Sequence, residues 1–204
     1  ATLFQLLAGI NFTLLYMSIF KLKVGALMRS VEFRFYMFVT MVSAFTIMAL
    51  LMSQMGYGLE HAFRSALFQV VSFMTTTGLT IPDAGAWPHI AWAILYILMF
   101  CGACAGSTTG GFKSIRVLML LKVVRNEFRH IVHPNAVLPV KIDGVSVPQG
   151  KIVSLLAFFI LYVMAVLLVT VLMAASGIHI TNAVTIALSL VCNIGASLDT
   201  NIES

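Results

Sequence analysis

The sequence predicts an all-α integral membrane protein, on the basis of its composition, its long uncharged runs and the positions of its positive charges. Of its 204 residues, 60% are hydrophobic and only 9% are charged. A soluble domain of this size could not bury so much apolar surface, so the soluble classes of enzyme and binding protein are excluded.

Four uncharged apolar runs supply the candidate membrane spans. They extend over residues 1–20, 35–59, 84–112 and 152–176. Each run is about as long as, or longer than, the roughly 20 residues with which a helix crosses the hydrocarbon of a bilayer. The first run is either a whole span or the end of one.

Two shorter amphipathic segments follow the second and the fourth run. Residues 60–74 place apolar side chains at helical spacing, and residues 179–192 form a similar piece. At about 1.5 Å per residue, the first segment reaches only about 20 Å, which is short of the bilayer thickness. Both segments are therefore predicted to be re-entrant half-helices.

The positive charges indicate the orientation of the spans. Eleven of the twelve Lys and Arg residues fall in two connecting loops, and only Arg64 lies elsewhere. Because cytoplasmic loops are enriched in Lys and Arg, both loops are predicted to be cytoplasmic and both half-helices to enter from outside. The eleven residues are Lys21, Lys23, Arg29, Arg34, Lys113, Arg116, Lys122, Arg125, Arg129, Lys141 and Lys151.

The half-helices belong to an internal repeat. The aligned pairs at one constant offset are Ala66 with Ala183, Ser72 with Ser189, Thr76 with Asn193, Thr77 with Ile194 and Gly78 with Gly195. The repeating unit is a span, a half-helix, a polar turn that contains glycine, and a second span. The order of these elements supports the repeat more strongly than the few identical residues do.

Each half-helix ends in a polar turn. We name these the threonine turn (75–78), within SFMTTTGLT, and the asparagine turn (193–195), within VCNIGAS. Non-helical backbone at membrane depth is costly unless it lines a watery cavity or is buried in protein. Glycine lets successive carbonyl oxygens point inward, and these can replace the hydration shell of a monovalent cation at the negative end of the helix dipole. A turn that merely packs is the alternative.

The third run contains four glycines in ten residues, separated partly by hydroxyl side chains. Each glycine costs a helix interior about 1 kcal/mol, so this pattern predicts a helix break of the kind found beside cavities and in gates. Two of these glycines, Gly102 and Gly106, also have the spacing of tightly packed helices. The residues alone leave both interpretations open.

The remaining reactive side chains favour no catalytic or metal chemistry. Lys113 and Arg116 follow the third run and are interpreted as anchors at the cytoplasmic border rather than as part of an ion path. Cys101 and Cys104 form a CxxC pair that is predicted to be buried and inert, and the histidines have no metal-binding spacing. No HExxH, GxSxG or buried carboxylate pair is present, so the chain is predicted not to be an enzyme.

Four motifs carry a family resemblance: AGINFTLLYMS (8–18), FQVVSFMTTTGL (68–79), CGACAGSTTGGFKSIRVLML (101–120) and HPNAVLPVKIDG (133–144). They resemble the TrkH/KtrB/HKT superfamily of potassium transporters, and most of all its bacterial TrkH branch, over almost the whole chain. The resemblance implies four membrane–pore–membrane repeats around one pore, with re-entrant pore half-helices and extended filter loops. On that map the chain covers part of the C-terminal half. Residues 1–34 end the second repeat and enter a cytoplasmic loop, 35–122 form the third repeat with a broken second span, 123–151 form a cytoplasmic loop, and 152–204 form the fourth repeat without its final span.

The same resemblance implies the functional residues. Backbone carbonyls of two filter strands would ligate potassium, and a flexible segment below them, here named the glycine loop (105–111), would act as a gate. The filter residues are Thr75, Thr76, Thr77, Gly78, Asn193, Ile194 and Gly195, and the gate residues are Ala105, Gly106, Ser107, Thr108, Thr109, Gly110 and Gly111. The fourth filter strand departs from the usual Gly-Pro-Gly continuation, because Ala196 and Ser197 follow its glycine.

The implied function is potassium uptake by a multi-pass protein of the bacterial plasma (inner) membrane, with K⁺ as the transported ion and no organic cofactor in this chain. The implied partners are membrane lipid, a second copy in a homodimer, and a cytoplasmic TrkA-like ring of nucleotide-binding regulatory subunits; no nucleic acid is expected. The alternative is a secondary transporter of a small solute, or a Na⁺/K⁺ symporter, built on discontinuous helices. All acidic residues fall in loops or at span edges, which favours a channel-like pore.

Overall fold

The computed structural model describes residues 1–21, 24–132 and 139–195. Within them the α-helices are α1 (Thr2–Ala8), α2 (Phe12–Phe20), α3 (Val24–Arg29), α4 (Val31–Met55), α5 (Leu59–Met74), α6 (His89–Cys101), α7 (Ser114–Val132), α8 (Gln149–Ala175) and α9 (Ile180–Val191). A 3-10 helix (Pro82–Ala86) precedes α6, and a hairpin of β1 (Lys141–Ile142) and β2 (Val145–Ser146) precedes α8. The predicted all-α class is confirmed.

Two of the described helices, α4 and α8, are long and apolar enough to cross a membrane by themselves. Helices α1 and α2 form a third candidate only as a bent pair, because their axes meet at 108° across a short break. Asn11 starts α2 at this break, and its side-chain Oδ1 accepts a hydrogen bond from Thr13 N at 2.9 Å. A cap of this kind marks the start of a new helix. The first uncharged run is therefore bent at Asn11, although its hydrophobicity predicted no bend.

Each long span is followed by a half-helix that folds back against it. Gly56 ends α4 with a φ of 66°, and Gly177 lies between α8 and α9 with a φ of 91°. This left-handed conformation favours glycine and reverses the chain. Helix α5 has 16 residues and α9 has 12, so neither is long enough to cross a bilayer. The predicted succession of span and re-entrant half-helix is confirmed in both copies.

The third uncharged run is broken, as its glycines predict. Helix α6 ends at Cys101, α7 begins at Ser114, and the residues between them are not helical. A positive φ at Gly102, Gly106 and Gly111 accounts for the sharp changes of direction in this stretch.

An aromatic cluster closes the broken run against α8. The rings of Phe100 and Phe112 stack across the break with centroids 5.4 Å apart. Both rings also contact Phe159 and Tyr162 of α8 edge-on, at centroid distances between 5.4 and 6.2 Å. Because Phe112 is fully buried, this packing fixes where the chain re-enters a helix after the break.

The connection between α7 and α8 contains a hairpin that the sequence analysis did not predict. Its turn is Asp143-Gly144, with φ values of 49° and 83°. Lys122 on α7 donates from Nζ to the carbonyl oxygen of Lys141 at 2.6 Å, and Asp143 Oδ1 accepts a hydrogen bond from Val31 N at 2.9 Å. The hairpin therefore links α7 to the first residue of α4.

Candidate functional site

The threonine turn begins where α5 ends. Thr75 is buried, and its hydroxyl donates to the carbonyl oxygen of Val71 at 2.7 Å and pairs with the Thr77 hydroxyl at 2.8 Å. Thr76 has a φ of 52° and Gly78 a φ of 73°. A threonine at positive φ is uncommon, and such residues persist only where the surrounding structure holds them.

The asparagine turn repeats this backbone path at the end of α9. Asn193 has a φ of 58° and Gly195 a φ of 77°, matching the two positive values of the threonine turn. Ile194 N donates to the carbonyl oxygen of Ser189 at 2.9 Å, as Thr77 N donates to that of Ser72 at the same distance. Residues that align in the sequence repeat therefore have the same backbone role, although their side chains differ.

The two turns lie in direct contact. A Cβ placed on Gly78 would come within 2.3 Å of the carbonyl oxygen of Ile194. No real Cβ approaches an oxygen so closely, so only glycine fits at position 78. The structure thus brings together the two segments that sequence analysis predicted to be filter strands.

The glycine loop lies against both turns. Gly110 N donates to the hydroxyl of Thr76 at 2.7 Å, and a Cβ on Gly110 would come within 2.2 Å of the carbonyl oxygen of Cys192. Gly110 does not have a positive φ, so close approach alone accounts for glycine at this position. The predicted gate and the two predicted filter strands therefore form one contiguous site.

Lys113 turns back onto the glycine loop. Its Nζ donates to the Ser107 hydroxyl at 3.4 Å, to the Thr109 hydroxyl at 3.0 Å and to the Thr109 carbonyl oxygen. Lys113 also has a φ of 81°, a conformation that costs a residue with a long side chain of order 1–3 kcal/mol. The ammonium group of Lys113 therefore bonds to the glycine loop, a contact that its interpretation as an anchor at the cytoplasmic border did not include.

Arg116 is held differently. Its guanidinium lies 4.0 Å from the ring centroid of Phe158 on α8, and it donates to the carbonyl oxygen of Phe112 at 3.4 Å. A cation over an aromatic face at this distance stabilises the packing of α7 on α8.

The break between α1 and α2 holds the other side of the glycine loop. Cys104 N donates to the carbonyl oxygen of Gly9, and Phe12 N donates to that of Gly106, each at 3.0 Å. Two broken runs that are distant in sequence therefore satisfy each other's exposed backbone groups, as buried backbone requires. Sequence analysis missed this contact.

Along one buried stripe, helix α4 contacts the end of α5, helix α1 and the glycine loop. Thr40 donates from its hydroxyl to the sulfur of Met74, the last residue of α5, at 3.2 Å. Tyr36 is fully buried and donates from its hydroxyl to the carbonyl oxygen of Leu6 on α1 at 3.3 Å. Glu32, one turn earlier, accepts a hydrogen bond from Ala105 N at the start of the glycine loop.

Sequence reasoning assigned Glu32 no role beyond its place at a span edge. An acidic residue in the first turn of a helix ordinarily favours the positive end of the helix dipole, so its sequence position gives no further signal. Only the fold shows that this carboxylate is buried against the loop.

The described part of the site does not contain a classical metal centre. In the part of the chain that the structure describes, no group of three or more His, Cys, Asp or Glu side chains could hold a metal ion. Cys101, Cys104 and Cys192 are free thiols, the last two of them buried.

A family model described as TrkH, a cation transport protein, matches residues 1–204. The chain belongs to the TrkH family of cation transport proteins. Relatives include the Trk system potassium uptake proteins TrkH of Halomonas elongata and TrkG and TrkH of Escherichia coli K12. The first is 37% identical over 70% of this chain and 30% of its own length. TrkG of Escherichia coli is 34% identical over 78% of this chain and 33% of its own length. TrkH of Escherichia coli is 30% identical over 96% of this chain and 41% of its own length. The chain thus spans about a third to two fifths of these relatives.

The fold comparison agrees with the family. The crystal structure of the potassium transporter TrkH from Vibrio parahaemolyticus superimposes with a TM-score of 0.91 and 31% identity. The match covers 98% of this chain and 43% of that one. These relatives are ion transporters rather than enzymes.

Some predicted features lie outside the described residues. They are Ala196 and Ser197 after the fourth filter strand, part of the HPNAVLPVKIDG motif, and Lys23 in the first basic loop.

Proposed function

We propose that this chain contributes two of the filter strands and the gate of a potassium uptake pore in a bacterial plasma membrane. The observation that carries the proposal is the contact between two turns with the same backbone path, Gly78 lying against the Ile194 carbonyl oxygen. Family membership and the names of the relatives support potassium as the transported ion.

The proposed ligands are backbone carbonyl oxygens of Thr75, Thr76, Thr77, Gly78, Asn193, Ile194 and Gly195. These oxygens would replace the water shell of K⁺ without adding a full negative charge, so the ion is held loosely enough to leave again. The negative ends of α5 and α9 both point toward the turns and favour a cation there. Two further strands, from the first and second repeats, would complete the ring.

The proposed gate is the glycine loop. Because Gly110 contacts both turns, an ion leaving them toward the loop meets its backbone, and the loop must move for conduction. Its glycines permit such movement, and the ammonium group of Lys113 adds a positive charge that opposes a passing cation. Potassium then moves down its electrochemical gradient whenever the loop is displaced.

The assembly is part of the same proposal. We propose a multi-pass protein of the bacterial inner membrane that forms a homodimer and binds a cytoplasmic ring of nucleotide-binding subunits. The repeat boundaries at 34, 122 and 151 belong to this proposal. The basic residues of α7 and of the hairpin, among them Arg125 and Lys141, support a cytoplasmic position for that surface.

Ion flux in proteoliposomes tests the proposal. The protein would be the full-length transporter that contains this chain, or a chimera in which the chain replaces the matching segment of Vibrio parahaemolyticus TrkH. We expect saturable uptake of radioactive rubidium that potassium inhibits, without any organic solute. Uptake that requires an imposed sodium gradient would instead indicate the symporter alternative, and no uptake in either protein would contradict the proposal.

A further inference from the structure

The first turn of α4 meets two other parts of the molecule through carboxylates. Glu32 is only 7% exposed, and its carboxylate accepts a hydrogen bond from Ala105 N. Asp143, at the tip of the hairpin, accepts from Val31 N at 2.9 Å. Adjacent residues of α4 are thus bonded to the glycine loop and to the hairpin.

The position of the N–H group that donates to Glu32 is informative. Ala105 is the first residue of the glycine loop, which follows the end of α6. The carboxylate of Glu32 therefore holds the loop at its first residue. A buried carboxylate is costly unless it is hydrogen-bonded, and bonds from backbone N–H groups to a charged acceptor are among the stronger ones.

The hairpin contact fixes the place from which Glu32 acts. Asp143 satisfies the N–H of the first residue of α4, one of the donors that a helix leaves without an internal partner. The hairpin is itself held to α7 by the bond from Lys122 to the Lys141 carbonyl oxygen. A displacement of the hairpin would therefore move or loosen the turn that carries Glu32.

We propose that Glu32 is a positioning residue that holds the glycine loop against the two filter turns, and that Asp143 sets the position of Glu32 from the hairpin. The inference rests on the proposed function only in naming the loop a gate. The docking of the loop through Glu32 can be measured without any ion flux. Whatever moves the hairpin would, through this two-residue link, bias the gate toward release.

Cys104 provides a native reporter of loop docking. It is 1% exposed, it is a free thiol, and it precedes Ala105 directly. Release of the loop should expose it to N-ethylmaleimide, and fragmentation of the modified peptide in the mass spectrometer locates the adduct on Cys104 rather than on Cys101, which lies in the same peptide. The measurement would use the full-length transporter in liposomes, alongside single-channel recording.

Glu32→Ala removes the acceptor, and Glu32→Gln keeps an oxygen but loses the charge. We expect Glu32→Ala to raise the rate of Cys104 modification and the open probability by roughly tenfold or more, with Glu32→Gln in between. The matched control is Glu60→Ala, since Glu60 is also a first-turn acid but is exposed, and among the described residues its ion pair is with the exposed Arg64 at 3.6 Å. Equal Cys104 modification in Glu32→Ala and Glu60→Ala would overturn the inference.

The hairpin provides a second pair of variants in case Glu32→Ala does not fold. Asp143→Asn keeps a capping oxygen and a residue that tolerates positive φ, whereas Asp143→Ala keeps neither. We expect faster Cys104 modification in Asp143→Ala than in Asp143→Asn, and equal rates would remove Asp143 from the link. If Glu32→Ala exposes Cys104 while the unaltered protein carries no rubidium, the docking inference holds and the proposed function fails.

Discussion

The threonine turn and the asparagine turn share a backbone path but differ in what supports it. Hydroxyl groups brace the first turn from within, through the bond of Thr75 to Val71 and its pairing with Thr77. The second turn is braced from outside, by the Tyr162 hydroxyl, which lies 2.8 Å from the sulfur of Cys192. The common feature is the main chain with its two positive φ values, as the proposed role of the carbonyl groups requires.

The largest expected effect comes from the two aligned glycines. Both have a left-handed φ, so alanine costs either position about 1–2 kcal/mol. Gly78→Ala also drives a Cβ into the Ile194 carbonyl oxygen, which adds about 1–3 kcal/mol of strain, whereas among the described residues no atom lies within 4 Å of a Cβ on Gly195. We therefore expect Gly78→Ala to reduce rubidium uptake or its preference over sodium by at least about tenfold more than Gly195→Ala does. Uptake measured with sodium competition checks this.

Equal effects of the two substitutions would contradict the close contact at Gly78 as the decisive feature. A larger effect of Gly195→Ala would show that the asparagine turn meets a neighbour more tightly than the threonine turn does.

A smaller, different effect is expected from Gly110→Ala. Its Cβ would lie 2.2 Å from the Cys192 carbonyl oxygen, so the glycine loop must shift away from the asparagine turn while both turns keep their own bonds. We expect a several-fold change in open probability in single-channel recordings, with the potassium-over-sodium preference unchanged. Gly150→Ala is the control, since Gly150 lies in α8 and a Cβ there meets no described atom within 4 Å. A change in ion preference would mean that the loop belongs to the filter rather than to a gate.

The spans, half-helices and turns could be predicted because their signals are local. Hydrophobic runs located α4 and α8. The sequence repeat paired Thr76 with Asn193, and in the structure both residues have a positive φ. The four glycines likewise predicted the break between α6 and α7. In each case the chain's own neighbours determine the conformation.

The contacts that position the glycine loop could not be predicted, because they join distant residues. Glu32 and Ala105 are 73 positions apart, and Val31 and Asp143 are 112 apart. Nothing near Glu32 distinguishes it from an ordinary first-turn acid such as Glu60. The hairpin was missed for another reason. Its Asp-Gly pair is a recognised turn signal, but the loop was interpreted from its charges alone.

The smallest expected effects separate side-chain support from ion binding. Thr75→Val keeps the shape of the side chain but removes the hydroxyl that bonds to Val71, and Tyr162→Phe removes the hydroxyl beside Cys192. Each loss should lower the free energy of unfolding by about 1 kcal/mol, measured as reduced thermal stability, while rubidium uptake and its preference over sodium change little. The two variants control for each other, because only Thr75 is among the proposed filter residues. If Thr75→Val removed the ion preference and Tyr162→Phe did not, the threonine hydroxyl itself would be an ion ligand, and the shared main chain would no longer explain selectivity.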